Sequence, residues 1–308
     1  MSDKSKIEWC DATWNPITGC SMVSEGCTNC YAMKLAAGRL RNHPSREGLT
    51  TNGKWNGKVR MNWDWLDQPR KWKKPRRIFV CAHGDLFHED VPDVWIAKIW
   101  EVMEQCPQHQ FQVLTKRPAR MFEWVNHQAR IGRTEKNYPA PNIWLGTSAE
   151  NQETADERIP YLLKTPAAVR FLSAEPLLGA IDLMMLHYDG TTNINALTGR
   201  HGLTMPLSGR GNKLDWVIVG GESGPGAREC DFAHVRFLLQ QCRHAMVLCF
   251  VKQLGDVPAD SLDHIFDEHL KKMAADKPSW KHGRNMNCWP DGLPDATPNI
   301  YRMREMPV

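Results

Sequence analysis

Residues 78–118 read IFVCAHGDLFHEDVPDVWIAKIWEVMEQCPQHQFQVLTKRP, and this stretch predicts the fold. A short apolar run at 78–81 is followed by polar residues, and Pro92 precedes a segment, 93–105, whose apolar residues recur at helical spacing. A second apolar run at 111–114 ends in Thr-Lys-Arg. Because short runs of β-branched and aromatic residues are typical of buried strands, the stretch predicts a strand–helix–strand unit with parallel strands.

The same alternation continues along the chain. Further strands are predicted at 7–14, 143–145, 169–172, 216–219 and 247–251, and further helices at 118–128, 154–163, 232–243 and 260–274. The pattern predicts an α/β fold, a partial (βα)6 TIM-like barrel with parallel strands, and a doubly wound sheet is the alternative. Residues 1–275 are expected to form this domain, with 186–213 as an insertion or lid and 276–308 as a C-terminal extension.

Composition excludes several classes of protein. The chain has 308 residues, 42% hydrophobic and 24% charged, which is typical of a globular protein. No run approaches the roughly 18 apolar residues of a membrane span, and the N-terminus has no apolar signal core, so we expect a cytoplasmic protein without a membrane partner. In a reducing cytosol, the ten cysteines are expected to be metal ligands or buried thiols rather than disulfides. The net charge of 39 − 35 = +4 permits a nucleic-acid partner.

Three cysteines form the sharpest local motif. Residues 20–31 read CSMVSEGCTNCY, which gives the spacing C-x6-C-x2-C. The cysteines could simply pack, or they could hold a structural zinc with Cys10 or His43 as the fourth ligand. They could also hold a 4Fe–4S cluster whose fourth iron is open to a substrate or cofactor. The position of the loop after the first strand places it on the functional face of a βα fold, which favours the cluster.

Polar residues follow six of the predicted strands. Capping and turn formation would explain any one of these segments. Because the carboxyl ends of parallel strands meet on one face, all of them together predict a polar cavity there. The residues concerned are Asp85, Lys116, Arg117, Ser148, Glu150, Ser173, Glu175, Glu222, Ser223 and Lys252.

Taken in order, the motifs TWNPITGC, CTNCYA, DLFHEDVP, LTKRP, LGTSAEN, LSAEPLLG, WVIVGGESGPGAR and FVKQLG cover about residues 7–255. This set resembles the radical S-adenosylmethionine (SAM) superfamily, and most closely a phage- and prophage-associated three-Cys-motif family. The resemblance implies that Cys20, Cys27 and Cys30 hold a 4Fe–4S cluster and that SAM chelates its open iron. One electron from a flavodoxin- or ferredoxin-type donor would then cleave SAM to a 5′-deoxyadenosyl radical.

The chain departs from that superfamily at two points. The first cysteine gap is six residues rather than three, and Asn29 rather than an aromatic residue precedes Cys30. The usual GGE-like element is replaced by His83-Gly84-Asp85, which makes Asp85 the candidate partner of the SAM ammonium group.

The other polar residues at the strand ends suit the charges of SAM. Lys116 and Arg117 suit its carboxylate. The three glutamates that follow strands, Glu150, Glu175 and Glu222, suit its cationic groups or its ribose hydroxyls. Each glutamate could equally well support a neighbouring residue instead. Ser148 and Ser173 are candidate hydrogen-bonding partners, and the GGES segment containing Ser223 is a candidate lining of the methionine or ribose pocket.

A basic run precedes the second strand. Residues 70–77 read RKWKKPRR, a pattern that suits phosphate contacts and base stacking but also occurs in solvated loops. The candidate nucleic-acid-binding residues are Arg70, Lys71, Trp72, Lys73, Lys74, Arg76 and Arg77.

Three functions are therefore open. The first is a radical SAM enzyme acting on DNA, RNA or a nucleotide, in phage nucleic-acid modification or repair. The second is a zinc-stabilised, non-catalytic nucleic-acid-binding protein. The third is a radical SAM enzyme acting on a protein or a small metabolite.

Overall fold

The structure, a computed structural model, describes residues 5, 7–130, 140–188, 192–201 and 212–259. It is a mixed α/β fold, as the sequence predicts, and no helix among the described residues is long and apolar enough to cross a membrane. The fold divides into two compact units. The first unit comprises the described residues up to Thr147 together with Lys164–Arg170, and the second comprises Ser148–Leu163 and the described residues from Phe171 onward.

The first unit is built on four parallel strands among its described residues, in the order β1-β6-β7-β8. Its strands are β1 (Ala12–Trp14), β2 (Ile17–Thr18), β3 (Thr50–Thr51), β4 (Lys54–Trp55), β5 (Arg60–Met61), β6 (Arg77–Val80), β7 (Gln110–Thr115) and β8 (Ile143–Ser148). Its helices are α1 (Tyr31–Ala37), α2 (Gln68–Lys71), α3 (Asp93–Glu104) and α4 (Pro118–Arg130), with two 3₁₀ turns at Glu25–Cys27 and Trp63–Trp65.

The second unit contains three further parallel strands among its described residues, in the order β9-β13-β15. Its strands are β9 (Val169–Ala174), β10 (Leu186–Tyr188), β11 (Thr192–Asn195), β12 (Arg200–His201), β13 (Trp216–Gly220), β14 (Cys230–Asp231), β15 (Leu248–Gln253) and β16 (Pro258–Ala259). Its helices are α5 (Gln152–Lys164) and α6 (Phe232–His244).

Local chemistry explains where these elements begin and why they are buried. Every residue of β8 and of β13 is buried, as expected for strands of a parallel sheet that is covered on both faces. Pro92 precedes α3 and Pro118 begins α4, where proline's missing N–H costs nothing. Asp231 caps α6 by accepting a hydrogen bond from the backbone N–H of Ala233 at 2.8 Å.

The structure refines two sequence predictions. The first strand covers only Ala12–Trp14, since residues 7–10 form turns. The segment expected to be an insertion or lid contributes a three-stranded antiparallel sheet, β10-β11-β12. The helix predicted at 260–274 and the extension at 276–308 lie outside the described residues.

Candidate functional site

Two glycines place the cysteine loop at the carboxyl end of β1. Gly19 and Gly84 form an isolated parallel bridge, so the residue before Cys20 is joined to the segment that follows β6. Gly19 has φ of +93°, and a Cβ there would lie 2.2 Å from the carbonyl oxygen of Lys58. Only glycine fits this close approach, and the position of Cys20 depends on it.

The cysteine loop leads into one short helix, α1. Cys27 ends the 3₁₀ turn, and Cys30 is the residue before α1. Cys20 and Cys30 both pack against the apolar cluster formed by Ala32, Met33, Ala36, Leu49 and Trp55. Cys27 lies close enough to Cys20 to act on the pKa of its thiol. The three sulfur atoms therefore belong to one compact part of the first unit.

The cysteine loop is the candidate metal centre of the first unit. A zinc ion needs four ligands converging at about 2.0–2.3 Å. No group of three or more His, Cys, Asp or Glu side chains in the described ranges is arranged to hold one metal ion. A 4Fe–4S cluster places each thiolate on a different iron, so its ligands stand farther apart, and it needs only thiolates. Cys20, Cys27 and Cys30 fit that requirement as residue types and by their common location.

Each of the two residues considered as a fourth zinc ligand interacts with a serine. Cys10 precedes β1, whereas the cysteine loop follows that strand, and its thiol donates to the hydroxyl of Ser5 at 3.2 Å. His43 interacts through Nδ1 with the hydroxyl of Ser45 at 2.7 Å.

Arg117, at the end of β7, connects the first cysteine to two carboxylates. Its Nη1 donates to Sγ of Cys20 at 3.7 Å and to Oδ2 of Asp85 at 3.0 Å. Its Nε donates to Oε2 of Glu89 at 2.6 Å, and its Nη2 donates to the hydroxyl of Ser21 at 2.5 Å. We call Cys20, Ser21, Asp85, Glu89 and Arg117 the arginine network.

The arginine network sets the charges beside Cys20. Burial, with a further contribution from Asp85, raises the pKa of the Cys20 thiol to about 12, and Arg117 opposes this rise. Burial alone would raise the pKa of Glu89, but hydrogen bonds, chiefly from Arg117, lower it to about 2. Burial tends to lower the pKa of Arg117, yet the negative charge of Asp85 and the hydrogen bond to Glu89 raise it overall. Arg117 is thus a permanent cation next to the candidate ligand.

Asp85 is already engaged by the protein. Oδ1 accepts hydrogen bonds from the Thr115 hydroxyl at 2.7 Å and the backbone N–H of Phe87 at 2.9 Å. Oδ2 accepts from Arg117 and from the backbone N–H of Lys116 at 3.2 Å. This carboxylate therefore fixes the position of Arg117, and contact with a cofactor ammonium would have to compete with these bonds.

The second unit has its own polar cluster at the ends of three strands. Glu175 accepts from Nζ of Lys252 at 2.9 Å through Oε1 and from the hydroxyl of Ser173 at 3.0 Å through Oε2. A Cβ at Gly220 would lie 2.6 Å from Oε1 of Glu175. The glycine therefore leaves room for the carboxylate, and three of the predicted residues, Ser173, Glu175 and Lys252, lie together in this unit.

The remaining polar residues of the second unit are engaged in different ways. Glu150 is fully buried and pairs with Arg158 at 3.1 Å, while the carbonyl oxygen of Ser148 accepts from the same guanidinium at 2.9 Å. Glu222 pairs with Arg228 at 2.8 Å, and Ser223 is exposed. Glu150 thus matches the alternative role, support of a neighbouring residue.

The basic run lies at the amino end of β6, whereas the cysteine loop follows the carboxyl end of β1. Lys71, Lys73 and Lys74 are exposed, and Arg70 pairs with Asp67. Trp72 is buried, with the guanidinium of Arg76 4.7 Å from its ring centroid, so stacking of a base on Trp72 would require Arg76 to move. Arg77 pairs with Asp11 at 2.8 Å.

Sequence reasoning missed the partners that hold Arg117. Ser21 lies inside the cysteine loop, Glu89 lies in the DLFHED segment, and Ser21 donates to Oε1 of Glu89 at 2.7 Å. His88 is fully buried and contacts the hydroxyl of Ser21 through Nε2 at 3.0 Å. The DLFHED segment after β6 could have indicated these partners, because it carries more charged residues than a turn requires.

In architecture, the chain is an α/β protein with a tri-cysteine loop at a strand end, and a largely buried arginine contacts the first cysteine. The sequence profile of the DUF5131 family, described as proteins of unknown function, matches residues 4–287, and the chain belongs to this family. Neither the curated proteins nor the solved structures include a match to the chain.

Proposed function

We propose that the chain is an iron–sulfur enzyme of the radical SAM type, in which Cys20, Cys27 and Cys30 hold a 4Fe–4S cluster. The observation that carries the proposal is the tri-cysteine loop itself, whose first thiol receives a hydrogen bond from Arg117 at 3.7 Å. When bound and reduced, such a cluster supplies one electron that cleaves SAM into methionine and a 5′-deoxyadenosyl radical. We further propose that the parallel strands of the two units belong to a partial TIM-like barrel of the (βα)6 type.

The residues around the loop would serve the cluster in specific ways. Arg117 would offset the negative charge of the thiolates, and its hydrogen bond to Cys20 would raise the reduction potential, because both factors tune iron–sulfur sites. Asp85 and Glu89 would hold Arg117 in that position. The apolar cluster under α1 would exclude water from one side of Cys20 and Cys30.

The cleavage of SAM tests the proposal. The full-length protein, reconstituted with iron and sulfide without oxygen, is reduced with dithionite and given SAM, and 5′-deoxyadenosine is measured by chromatography. We expect product from the wild type and from Cys10→Ser, but none from Cys27→Ser. The absence of 5′-deoxyadenosine from a wild type that carries its cluster would contradict the radical chemistry.

We propose a nucleic acid or nucleotide as the substrate, and the exposed lysines of the basic run support this class. Each phosphate contact contributes about 0.9 to the slope of log binding constant against log salt concentration for duplex DNA. The variant Lys73→Ala/Lys74→Ala should therefore weaken DNA binding and reduce that slope by about 2. Lys54→Ala/Lys98→Ala removes the same charge from exposed positions outside the run and should leave the slope unchanged. Equal slopes for both variants would favour a protein or small-metabolite substrate.

A further inference from the structure

A cavity of about 700 Å³ lies beside the cysteine loop in the first unit. Tyr31, the residue directly after Cys30, lines it, as do Arg39, His43, Ser45, Arg46 and His83. Its volume falls in the range of about 300–1,000 Å³ that is typical of sites for small organic ligands. No carboxylate occurs among the described residues that line it, although it contains two arginines.

Arg46 is the most informative residue of the cavity wall, since it is only 4% exposed. A guanidinium has five N–H donors. Nη1 donates to the carbonyl oxygen of Ser45 at 3.3 Å and to its hydroxyl at 2.5 Å, and Nη2 donates to Nδ1 of His83 at 2.9 Å. The buried Nε has no hydrogen-bond partner within the described part of the chain. Two of the five donors are therefore left for a ligand.

Arg46 carries a positive charge in a buried position. No carboxylate in the described ranges forms an ion pair with it, and burial is the main cause that lowers its pKa to about 10. Tyr31 opposes this shift, and the positive charge of Arg60 adds to it. A buried cation without a counter-charge is costly, and an anion bound in the cavity would remove that cost.

Two histidines add N–H donors to the same wall. His43 accepts the backbone N–H of Ser45 on Nδ1 at 3.2 Å, and His83 accepts from Arg46 on Nδ1, so each ring carries its proton on Nε2. Burial, and then the charge of Arg46, lower the pKa of His83 to about 4, which keeps this ring neutral at physiological pH. The wall thus carries two guanidinium groups and two imidazole rings.

This donor set matches a phosphate better than a carboxylate. A phosphate monoester carries about −1.5 to −2 charge and three strong acceptor oxygens, which suits two arginines and several N–H groups. A carboxylate offers one charge and two oxygens. The rest of the wall includes Tyr31, Trp65, Leu35 and Leu40, an apolar and aromatic surface that suits a base and a sugar.

We propose that this cavity binds a nucleoside monophosphate, with the phosphate on Arg46 and Arg39 and the nucleoside against the aromatic part of the wall. The role of this ligand as the substrate rests on the proposed function, whereas its binding does not. The occupant is either a free nucleotide or the phosphorylated end of a nucleic acid strand, because both present the same group.

Calorimetry on the purified full-length chain, without iron or SAM, tests the proposal. The four deoxynucleoside 5′-monophosphates, their nucleosides, a short 5′-phosphorylated DNA strand and inorganic phosphate are the probes. We expect at least one monophosphate to bind tenfold or more tightly than its nucleoside, since hydrogen bonds to charged groups contribute about that much. Inorganic phosphate should compete with it. Tighter binding of the strand than of every free monophosphate would identify a strand end as the occupant.

Three variants locate the site. Arg46→Lys keeps the charge but loses the planar donor pattern, and it should weaken monophosphate binding about tenfold or more. Arg39→Ala removes the exposed cation of the lining and should weaken binding by a smaller factor. Arg41→Ala is the matched control, because Arg41 is exposed and does not line the cavity, and binding should stay within about twofold. If Arg46→Lys does not fold, the comparison of monophosphate binding by Arg39→Ala and by Arg41→Ala tests the location of the site.

The proposal is overturned if the nucleosides bind as tightly as their monophosphates, if Arg39→Ala and Arg46→Lys bind like the wild type, or if succinate binds and the phosphates do not. Its failure is distinguishable from failure of the proposed function. A protein that binds nucleotides but assembles no cluster refutes only the enzyme proposal. A protein that cleaves SAM but binds no phosphate ligand refutes only the cavity proposal.

Discussion

Replacing Arg117 with glutamine should lower the free energy of unfolding by more than the loss of an exposed ion pair would. The side chains of Arg117 and Asp85 are 10% and 7% exposed and lie 3.0 Å apart. Removing one partner of a buried pair costs about 3–5 kcal/mol, because the remaining carboxylate stays buried without its counter-charge. We therefore expect Arg117→Gln to lower the free energy of unfolding by about 3–5 kcal/mol.

A double-mutant cycle separates the pair from general damage. Asp85→Asn/Arg117→Gln removes both charges, so its loss should be smaller than the sum of the two single losses by about 1–3 kcal/mol. Arg77→Gln is the control, since Arg77 and Asp11 form a pair at 2.8 Å whose side chains are 35% and 45% exposed. Such an exposed pair should contribute at most about 1 kcal/mol.

Urea unfolding followed by tryptophan fluorescence is a suitable assay, since the chain has thirteen tryptophans. A loss below about 1 kcal/mol for Arg117→Gln, or strictly additive losses in the cycle, would refute the claim that this buried pair holds the arginine network together.

Two further predictions concern packing and pH. Gly220→Ala should lower the free energy of unfolding by about 1–3 kcal/mol, because the new Cβ would lie 2.6 Å from Oε1 of Glu175. Urea unfolding should show a much smaller loss when the same substitution is made in the Glu175→Ala variant. An equal loss there would disprove the steric explanation. Because the pKa of His83 is lowered to about 4 from 6.5, the unfolded chain binds a proton in this window that the folded chain does not. His83 therefore reduces stability as the pH falls from 6.5 to 4, by up to about 1.4 kcal/mol per pH unit, and above 6.5 this loss is absent. His83→Gln should flatten the decline of unfolding free energy over this window, and an unchanged slope would refute the assignment.

The parallel strands were predictable from sequence because buried parallel strands have a simple pattern. The apolar runs at 78–81 and 216–219 correspond to β6 and β13, each within one or two residues. The helices that follow were visible for a similar reason, since Pro92 and Pro118 mark their first turns. The prediction was less complete at 186–213, where polar and glycine-rich sequence conceals an antiparallel sheet.

Only part of the candidate site could be predicted from the sequence. The three cysteines stand within eleven residues of one another, so their spacing can be read directly. Arg117 and Glu89 are 28 residues apart, and their pairing depends on how the segments after β6 and β7 meet. The exposure of a side chain is equally difficult to predict from sequence. Trp72 was therefore predicted to stack on a base, although it is buried.

Iron and sulfide analysis of the anaerobically reconstituted chain decides whether the tri-cysteine loop holds a 4Fe–4S cluster. We predict about four irons and four sulfides per chain for the wild type and for Cys10→Ser. Cys20→Ser, Cys27→Ser and Cys30→Ser should each lose most of the iron and the visible absorption band. A colourless wild type that binds one zinc ion per chain, or a cluster that survives in all three of these variants, would contradict the account.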